Sequence, residues 1–268
     1  MVFNKYNNQH LQNNTFSTLF VGQNLIKLSA VDSTNNYLKK LTSNSEPLPE
    51  GTVIMAEHQF AGRGQLDNVW HAAPGKNLTF SLLLRPSFVP VQKQFVLNML
   101  VSVALNHVLL RYLPEGLSVK WPNDIYFGDK KIGGVLIENS LLGNVIKHSI
   151  IGIGLNINQS VFADELKERS ISIFQILQQD VNLMVLLNEI CTQIEQLYVK
   201  LKSGEGTTLR DLYVNKLYRL NKSAKYSANG EVFEGKIEGI SPEGLLRIKP
   251  LNGKVVEFNF KEVAFISG

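Results

Sequence analysis

Cysteine is nearly missing from this chain: Cys191 is the single one in 268 residues. It sits among the apolar residues of an expected helix, so neither a disulfide framework nor a cysteine-built zinc site can form within one chain. A reducing cytoplasm is the expected compartment. Long hydrophobic runs are missing too. No stretch approaches the roughly 18 apolar residues that a membrane helix needs, and no basic-then-apolar leader opens the sequence, so neither export nor membrane insertion is expected. Common nucleotide and nucleophile motifs are also lacking. Gly75-Lys76 has neither the upstream glycine nor the following Ser/Thr of a P-loop, and Gly62-Arg63-Gly64 lacks the third glycine of a dinucleotide fingerprint. No Gly-x-Ser-x-Gly elbow occurs.

A large excess of one charge sign is lacking as well. The formal net charge is +4, and the basic residues are scattered rather than striped, which suits a mildly basic enzyme with anionic ligands better than a nucleic-acid binder. Hydrophobic residues make up 44%, enough to bury the core of one large domain with an appendage.

The stretch Lys120 to Glu138, KWPNDIYFGDKKIGGVLIE, concentrates the chemistry. It reads as strand, turn, strand: Leu117-Ser118-Val119 runs into Lys120-Trp121, Pro122 interrupts the ladder, and Gly128-Asp129 supplies a tight turn. Asp124 and Lys131 then fall on neighbouring strands, where a Mg²⁺ at Asp124 and a cation at Lys131 would suit a reaction joining two anions. Gly133-Gly134 within β-branched sequence indicates either a bulge or the close approach of a flat ligand.

Other segments add donors. Asp32-Ser33-Thr34-Asn35 opens a helix with Ser or Asp as the N-cap. A strand from Thr52 to Glu57 leads to Gln59 and Gly62-Arg63-Gly64, where backbone amides and a guanidinium can converge on phosphate oxygens, and the loop ends at Trp70. Strand 77–84 follows. Pro90 to Tyr112 reads as a long buried helix, apolar on all sides. In Ile151-Gly152-Ile153-Gly154-Leu155-Asn156, alternating glycines leave one face of a strand bare, either to stack an adenine or to let a helix pack closely. Helices are expected over 182–202 and 209–220, their apolar stripes belonging to the core. From about Asn221 short β-runs separated by Asn229-Gly230, Pro242-Glu243-Gly244 and Asn252-Gly253 suggest a small SH3-like barrel.

Lys-Trp-Pro-Asn-Asp followed by Lys-x-Gly-Gly-x-x-x-Glu resembles the core signature of biotin protein ligases. The Ser-Thr pair, the glycine-arginine loop, the Gly-x-Gly-x-Asn-x-Asn strand and the terminal barrel extend that resemblance from about Leu25 onward. It implies an α/β (α+β) fold: a mixed, mostly antiparallel sheet backed by helices over 1–220, with residues 1–22 as a polar arm, and an SH3-like domain over 221–268. That arm cannot house a helix-turn-helix, so the resemblance is to the short, monofunctional form, with neither DNA nor membrane as a partner.

The resemblance also implies roles. Ser33, Thr34, Asn35, Gln59, Gly62, Arg63, Gly64, Lys131, Gly133 and Gly134 would meet biotin. Arg63, Trp70, Lys120, Asn123, Lys131 and Asn156 would meet ATP or the adenylate, with Mg²⁺ at Asp124. Lys131 and Arg63 would serve the chemistry. The partner implied is the biotin carboxyl carrier domain of acetyl-CoA carboxylase, and either a monomer or a homodimer is compatible with the sequence. Many relatives continue Gly-Arg-Gly-Arg-x-Gly-Arg, whereas Gln65, Leu66, Asp67 and Asn68 stand here. This predicts looser retention of the acyl-adenylate. Two other readings remain: a lipoate ligase, disfavoured by the Lys-Trp-Pro-Asn-Asp string, Gln59 and the Ser33-Thr34 pair, and a non-catalytic biotin- or nucleotide-sensing protein, disfavoured by Lys131, Arg63 and Asp124.

Overall fold

The computed structural model describes residues 10–11, 16–43, 47–65, 68–204 and 208–266. In chain order the elements are β1 (His10–Leu11), β2 (Leu25–Val31), α1 (Thr34–Thr42), β3 (Val53–Gln59), β4 (Leu78–Leu84), α2 (Phe95–Leu109), β5 (Leu117–Lys120), β6 (Asp124–Phe127), β7 (Lys130–Leu142), β8 (Val145–Leu155), α3 (Asp164–Lys167), α4 (Ile173–Leu177), α5 (Leu183–Lys202), α6 (Leu209–Val214), β9 (Ser223–Ala228), β10 (Glu231–Ile240), β11 (Leu246–Pro250), β12 (Val256–Phe258) and β13 (Ala264–Phe265). The first eight strands form one sheet in the order β1-β2-β3-β4-β8-β7-β6-β5, and the last five a second sheet in the order β12-β11-β10-β9-β13. Among the strands of the described residues β2 and β3 alone pair in parallel, with α1 as part of their crossover, and every other strand ladder is antiparallel. The expected mixed, mostly antiparallel sheet with a β-rich C-terminal unit is therefore what the chain forms.

The two faces of the large sheet differ because strand side chains alternate. Val53, Met55, Phe80, Leu82, Ile151, Ile153 and Leu155 point to one side, where α2 and α5 cover them in the main core. Ile54, Ala56, Leu83 and Ile150 point to the other, where α1 contributes Leu38 to a smaller core. Helix α1 covers only part of that second face, and the uncovered part is the floor of a cavity.

Two helices are shorter than their sequences suggest. The span 90–112 is a 3-10 turn, Val91–Lys93, followed by α2 at Phe95–Leu109, because Pro90 is extended and residues 110–113 tighten into a turn that buries Leu113. The span 209–220 is helical only to Val214. Beyond it the Lys216 carbonyl accepts from the Val119 N–H at 2.7 Å and the Tyr218 N–H donates to the Val119 carbonyl at 2.9 Å, so the chain leaves the helix to pair the open edge of β5. The N-terminal arm is not polar throughout. Glu195 accepts from the N–H groups of Leu19, Phe20 and Val21 at 2.7, 2.8 and 2.9 Å, and Val21 is buried. Residues 1–9 and 12–15 of the arm lie outside the described residues.

The second sheet is fastened to the first through Trp121. Its indole N–H donates to the Gly244 carbonyl at 2.9 Å and its ring lies 5.0 Å from that of Phe260. A Cβ at Gly244 would meet Phe95 of α2 at 2.1 Å, so only glycine fits there. Among the described residues no helix is long and apolar enough to cross a membrane.

Candidate active site

Strand register assembles the site. Thr79 pairs with Gly154, Gly154 with Gly134, Gly134 with Asp124 and Asp124 with Lys120, so these five residues form one rung across β4, β8, β7, β6 and β5. The next rung is Ser81, Gly152 and Leu136. Residues paired directly across strands share a face, so both rungs lie on the face that carries the cavity, which is about 360 Å³, with Lys120 just beyond its edge. Strict alternation along β7 would place Lys131 on the core side with Gly133. Instead Ile125 pairs with Gly133 and Tyr126 with Lys131, so Ile132 is an extra residue in β7 and turns Lys131 onto the cavity face.

The two glycine pairs turn out to have unequal members. A Cβ at Gly133 would strike the Leu155 side chain at 2.3 Å, so Gly133 serves the bulge and packs toward the core, away from the cavity. A Cβ at Gly134 would lie 3.1 Å from the Lys131 ammonium and 3.0 Å from the Asp124 carboxylate, so this glycine makes room for that ion pair. The bare face of β8 is already filled. A Cβ at Gly152 would meet Asn35 Oδ1 at 2.4 Å, and one at Gly154 would meet the Trp70 indole at 2.4 Å. Gly152 is thus packed closely by helix α1, through Asn35, as one of the two readings of that face anticipated, and the flat group against Gly154 is the indole of Trp70.

At one end of the cavity the groups are uncharged and buried. Ser33 caps α1, accepting weakly from the Asn36 N–H at 3.5 Å. Gln59 Oε1 accepts from the Thr34 N–H at 2.9 Å and from its hydroxyl at 3.2 Å. The Ser81 hydroxyl lies 2.7 Å from Thr34 Oγ1 and 2.6 Å from Asn35 Oδ1, one proton between two acceptors. Asn35 Nδ2 donates to Glu138 Oε2 at 2.9 Å.

Ions dominate elsewhere. Arg63 forms a fork on Glu138, NH1 to Oε2 and NH2 to Oε1, both 3.2 Å, and donates to Asn36 Oδ1 at 2.7 Å. Its loop closes as a narrow hairpin, with the Trp70 N–H bonded to the Gly62 carbonyl at 3.0 Å and the Gly64 N–H to the Asn68 carbonyl at 2.7 Å. Gly62 shapes this turn: a Cβ there would lie 2.3 Å from the Trp70 carbonyl. Lys131 is paired with Asp124 at 2.7 Å, its ammonium 5.9 Å from the centroid of the Trp70 ring. Lys120 donates to the Tyr126 hydroxyl at 3.1 Å and lies over the rings of Tyr126 and Phe265. Burial lowers its pKa from the usual lysine value, with Asp124 opposing the shift. Burial raises that of Tyr126, Asp124 adding to the rise while Lys131, Arg169 and Arg219 oppose it.

Two buried polar atoms lining this region have no partner, Asn156 Oδ1 and Trp70 Nε1, an acceptor and a donor. The Asn156 amide is oriented by its Nδ2, which donates to the Ile171 carbonyl at 3.3 Å. Asn123 is buried, its amide donating to the Val135 carbonyl.

The cavity thus gathers Ser33, Thr34, Asn35, Gln59, Arg63, Gly64, Trp70, Asn123, Asp124, Lys131, Gly134 and Asn156 of the residues singled out in the sequence. Gly62, Gly133 and Lys120 shape or flank it without lining it. Sequence reading passed over Ser81, Tyr126, Glu138 as the partner of Arg63, and Arg169. Ser81 and Tyr126 had a signal, being polar between apolar strand neighbours, and Glu138 closes the Lys-x-Gly-Gly-x-x-x-Glu string. Leu66 and Asp67, two of the four residues that depart from the glycine-arginine pattern, lie outside the described residues.

Among the described residues no group of three or more His, Cys, Asp or Glu could hold a metal. The cavity's carboxylate at Asp124 fits an ion that arrives on phosphates and keeps its waters, which is how Mg²⁺ is usually bound.

A carved, mixed-polarity cleft on one face of a largely antiparallel sheet, with a lysine held over its floor and an arginine on the loop beside it, defines the class: an α/β domain with a cation-bearing ligand site. Residues 28–156 match the Biotin/lipoate A/B protein ligase family. The bifunctional ligase/repressor BirA of Bacillus subtilis is 32% identical over 238 residues, 88% of this chain and 72% of that protein. The biotin--[acetyl-CoA-carboxylase] ligase of Paracoccus denitrificans is 34% identical over 134 residues, 48% of this chain and 53% of its own length. The biotin protein ligase of Aquifex aeolicus, solved in complex with biotin and ATP, superimposes with a TM-score of 0.77 at 28% identity, covering 91% of this chain and 99% of that one. The chain belongs to the biotin/lipoate A/B protein ligase family.

Proposed function

We propose that this protein is a biotin protein ligase: it activates biotin with ATP to biotinoyl-5′-AMP and transfers the biotinyl group to a lysine of a biotin carboxyl carrier domain, such as that of acetyl-CoA carboxylase. The observation that carries the reading is the placement of Lys131. A β-bulge aims it over Gly134, on the rung next to the one that carries Ser81 and Gly152, with Asn35 of α1 over Gly152, so one cation stands where an uncharged pocket and an anion-binding region meet.

In the first step a carboxylate oxygen of biotin attacks the α-phosphorus and pyrophosphate leaves. Repulsion between two anions opposes this approach, and cations fixed in advance lower that barrier without reorganising during the reaction. The ureido ring lies among Ser33, Thr34, Asn35 and Gln59, whose donors and acceptors suit a polar ring better than the dithiolane of lipoate. Arg63 exchanges Glu138 for the biotin carboxylate and α-phosphate. Lys131 exchanges Asp124 for the same developing charge, freeing that carboxylate. Mg²⁺ carried by the nucleotide would meet Asp124 and neutralise phosphate charge. Asn156 Oδ1 accepts from the adenine amino group, and Trp70 closes over the nucleotide, with Lys120 and Asn123 flanking it.

In the second step the carrier lysine amine attacks the acyl carbon of the mixed anhydride, the acyl C–O bond breaks, and AMP leaves as the amide forms. No enzyme nucleophile is needed, in keeping with a buried Cys191 whose thiol is pushed well above its usual pKa by burial. A cytoplasmic setting and a homodimer fit this reading.

Biotin-dependent exchange of labelled pyrophosphate into ATP tests it, with lipoate in parallel. Exchange with biotin alone, lost in Lys131→Ala, is the expected result. Exchange with lipoate instead would move the assignment to a lipoate ligase, and none with either acid from folded protein would favour a sensing role.

A further inference from the structure

Three cations of the cavity can be compared by their partners. Arg63 is forked onto Glu138 and Lys131 is paired with Asp124. Arg169 has no carboxylate partner among the described residues. Its Nε donates to the Glu165 carbonyl at 3.0 Å, which fixes the direction of the side chain and leaves the two terminal nitrogens free.

The residue is nonetheless anchored. Its carbonyl accepts from the Lys131 N–H at 2.8 Å, and the Ile171 N–H donates to the Lys131 carbonyl at 3.0 Å, a parallel bridge that lashes the 169–171 segment to β7 beside the bulge. The guanidinium lies within electrostatic reach of the Tyr126 hydroxyl on the cavity floor. Arg169 is exposed, whereas Ser33, Thr34 and Asn35 are buried, so it stands at the open end of the cavity.

We infer that Arg169 binds the β- and γ-phosphates of ATP and the pyrophosphate they become. The inference rests on the ligase reading and adds a substrate-binding residue to it. A leaving group of high negative charge must depart through the open end, and a guanidinium there, unpaired and held by one nitrogen, presents a fork to phosphate oxygens without first having to break an ion pair. The two paired cations, Arg63 and Lys131, are left for the biotin carboxylate and the α-phosphate.

Titration calorimetry of wild type, Arg169→Ala and Arg169→Lys with ATP, AMP and inorganic pyrophosphate, each with Mg²⁺, tests this. We expect Arg169→Ala to weaken ATP and pyrophosphate about tenfold or more, in line with the loss of a charge-assisted hydrogen bond. AMP affinity and thermal midpoint should stay unchanged, and lysine should restore part of the loss. In exchange assays the KM for pyrophosphate rises while that for biotin does not. Equal weakening of AMP and ATP, unchanged pyrophosphate binding, or wild type that binds no pyrophosphate would overturn the inference. Failure of biotin-dependent exchange in a wild type that binds ATP through Arg169 would instead overturn the ligase reading alone.

Discussion

The two ends of the cavity are built on opposite principles. At the uncharged end Ser33, Thr34, Asn35 and Ser81 are 2%, 3%, 3% and 0% exposed and already hydrogen-bonded, Ser81 to Thr34 and Asn35, Thr34 to Gln59, and Ser33 to the Asn36 N–H. At the charged end Lys131 and Asp124 are 31% and 28% exposed and Arg63 41%, each held by an opposite charge of the protein itself. A neutral ring can be received by a prebuilt hydrogen-bond array. Anions cannot be awaited in the same way, because bare clustered cations would repel one another, so carboxylates hold Arg63 and Lys131 until substrate replaces them. Affinity for biotin should therefore depend on the array, and rate on the exchange of ion pairs.

The sharpest break of this contrast is Lys131→Ala, expected to lower kcat/KM for pyrophosphate exchange about 100- to 1,000-fold, the scale of a lost transition-state charge donor. Biotin binding measured by calorimetry should change far less. Next comes Gly154→Val. Its side chain would occupy the space of the Trp70 indole, 2.4 Å from the Cβ position, and expel it, so the KM for ATP rises about tenfold or more with the KM for biotin little altered. Ser81→Ala tests the other end. Removing the proton shared by Thr34 and Asn35 leaves buried acceptors unsatisfied, lowering unfolding stability by about 1–3 kcal/mol and weakening biotin, as denaturant titration and calorimetry would record.

A smaller effect concerns pH. The pKa of Lys120 is lowered from 10.5 by burial, so on raising pH the folded protein loses that proton before the unfolded chain does. Stability attributable to this group therefore rises between the depressed value and 10.5, while ATP affinity falls over the same window. Lys120→Arg should move the alkaline limb of the ATP KM to higher pH. The smallest effect is expected from Glu138→Gln. Because Arg63 is 41% exposed, solvent screening limits the loss of stability to about 1 kcal/mol or less, measurable by denaturant titration.

Much of this was legible in the sequence wherever spacing decides structure. The Ser33 cap, the alternation of Gly152 and Gly154, and the strand-turn-strand around Asp124 follow from local rules. The bulge at Ile132 does not, since one extra residue in β7 is decided by how β6 pairs with it, and it reverses the side on which Lys131 lies. Trp121 shows the same limit: within Lys-Trp-Pro-Asn-Asp its neighbours serve the cavity, while its own indole turns away to fasten the second sheet at Gly244. Arg169 was hidden in a segment without periodicity, brought to the site by two backbone hydrogen bonds with Lys131 that no pattern of side chains announces. The bare glycine face was readable as a place for something flat. That Gly154 is covered by Trp70, from a loop more than eighty residues earlier, and Gly152 by Asn35 of α1 is a tertiary fact.

The most direct measurement of the divided cavity is the pair of Michaelis constants, for biotin and for ATP, in pyrophosphate exchange by Ser81→Ala and Gly154→Val. The account predicts opposite splits: Ser81→Ala raises the constant for biotin and spares that for ATP, and Gly154→Val does the reverse. Parallel rises of both constants in both variants would contradict it, and would mean that the cavity responds as one undivided site.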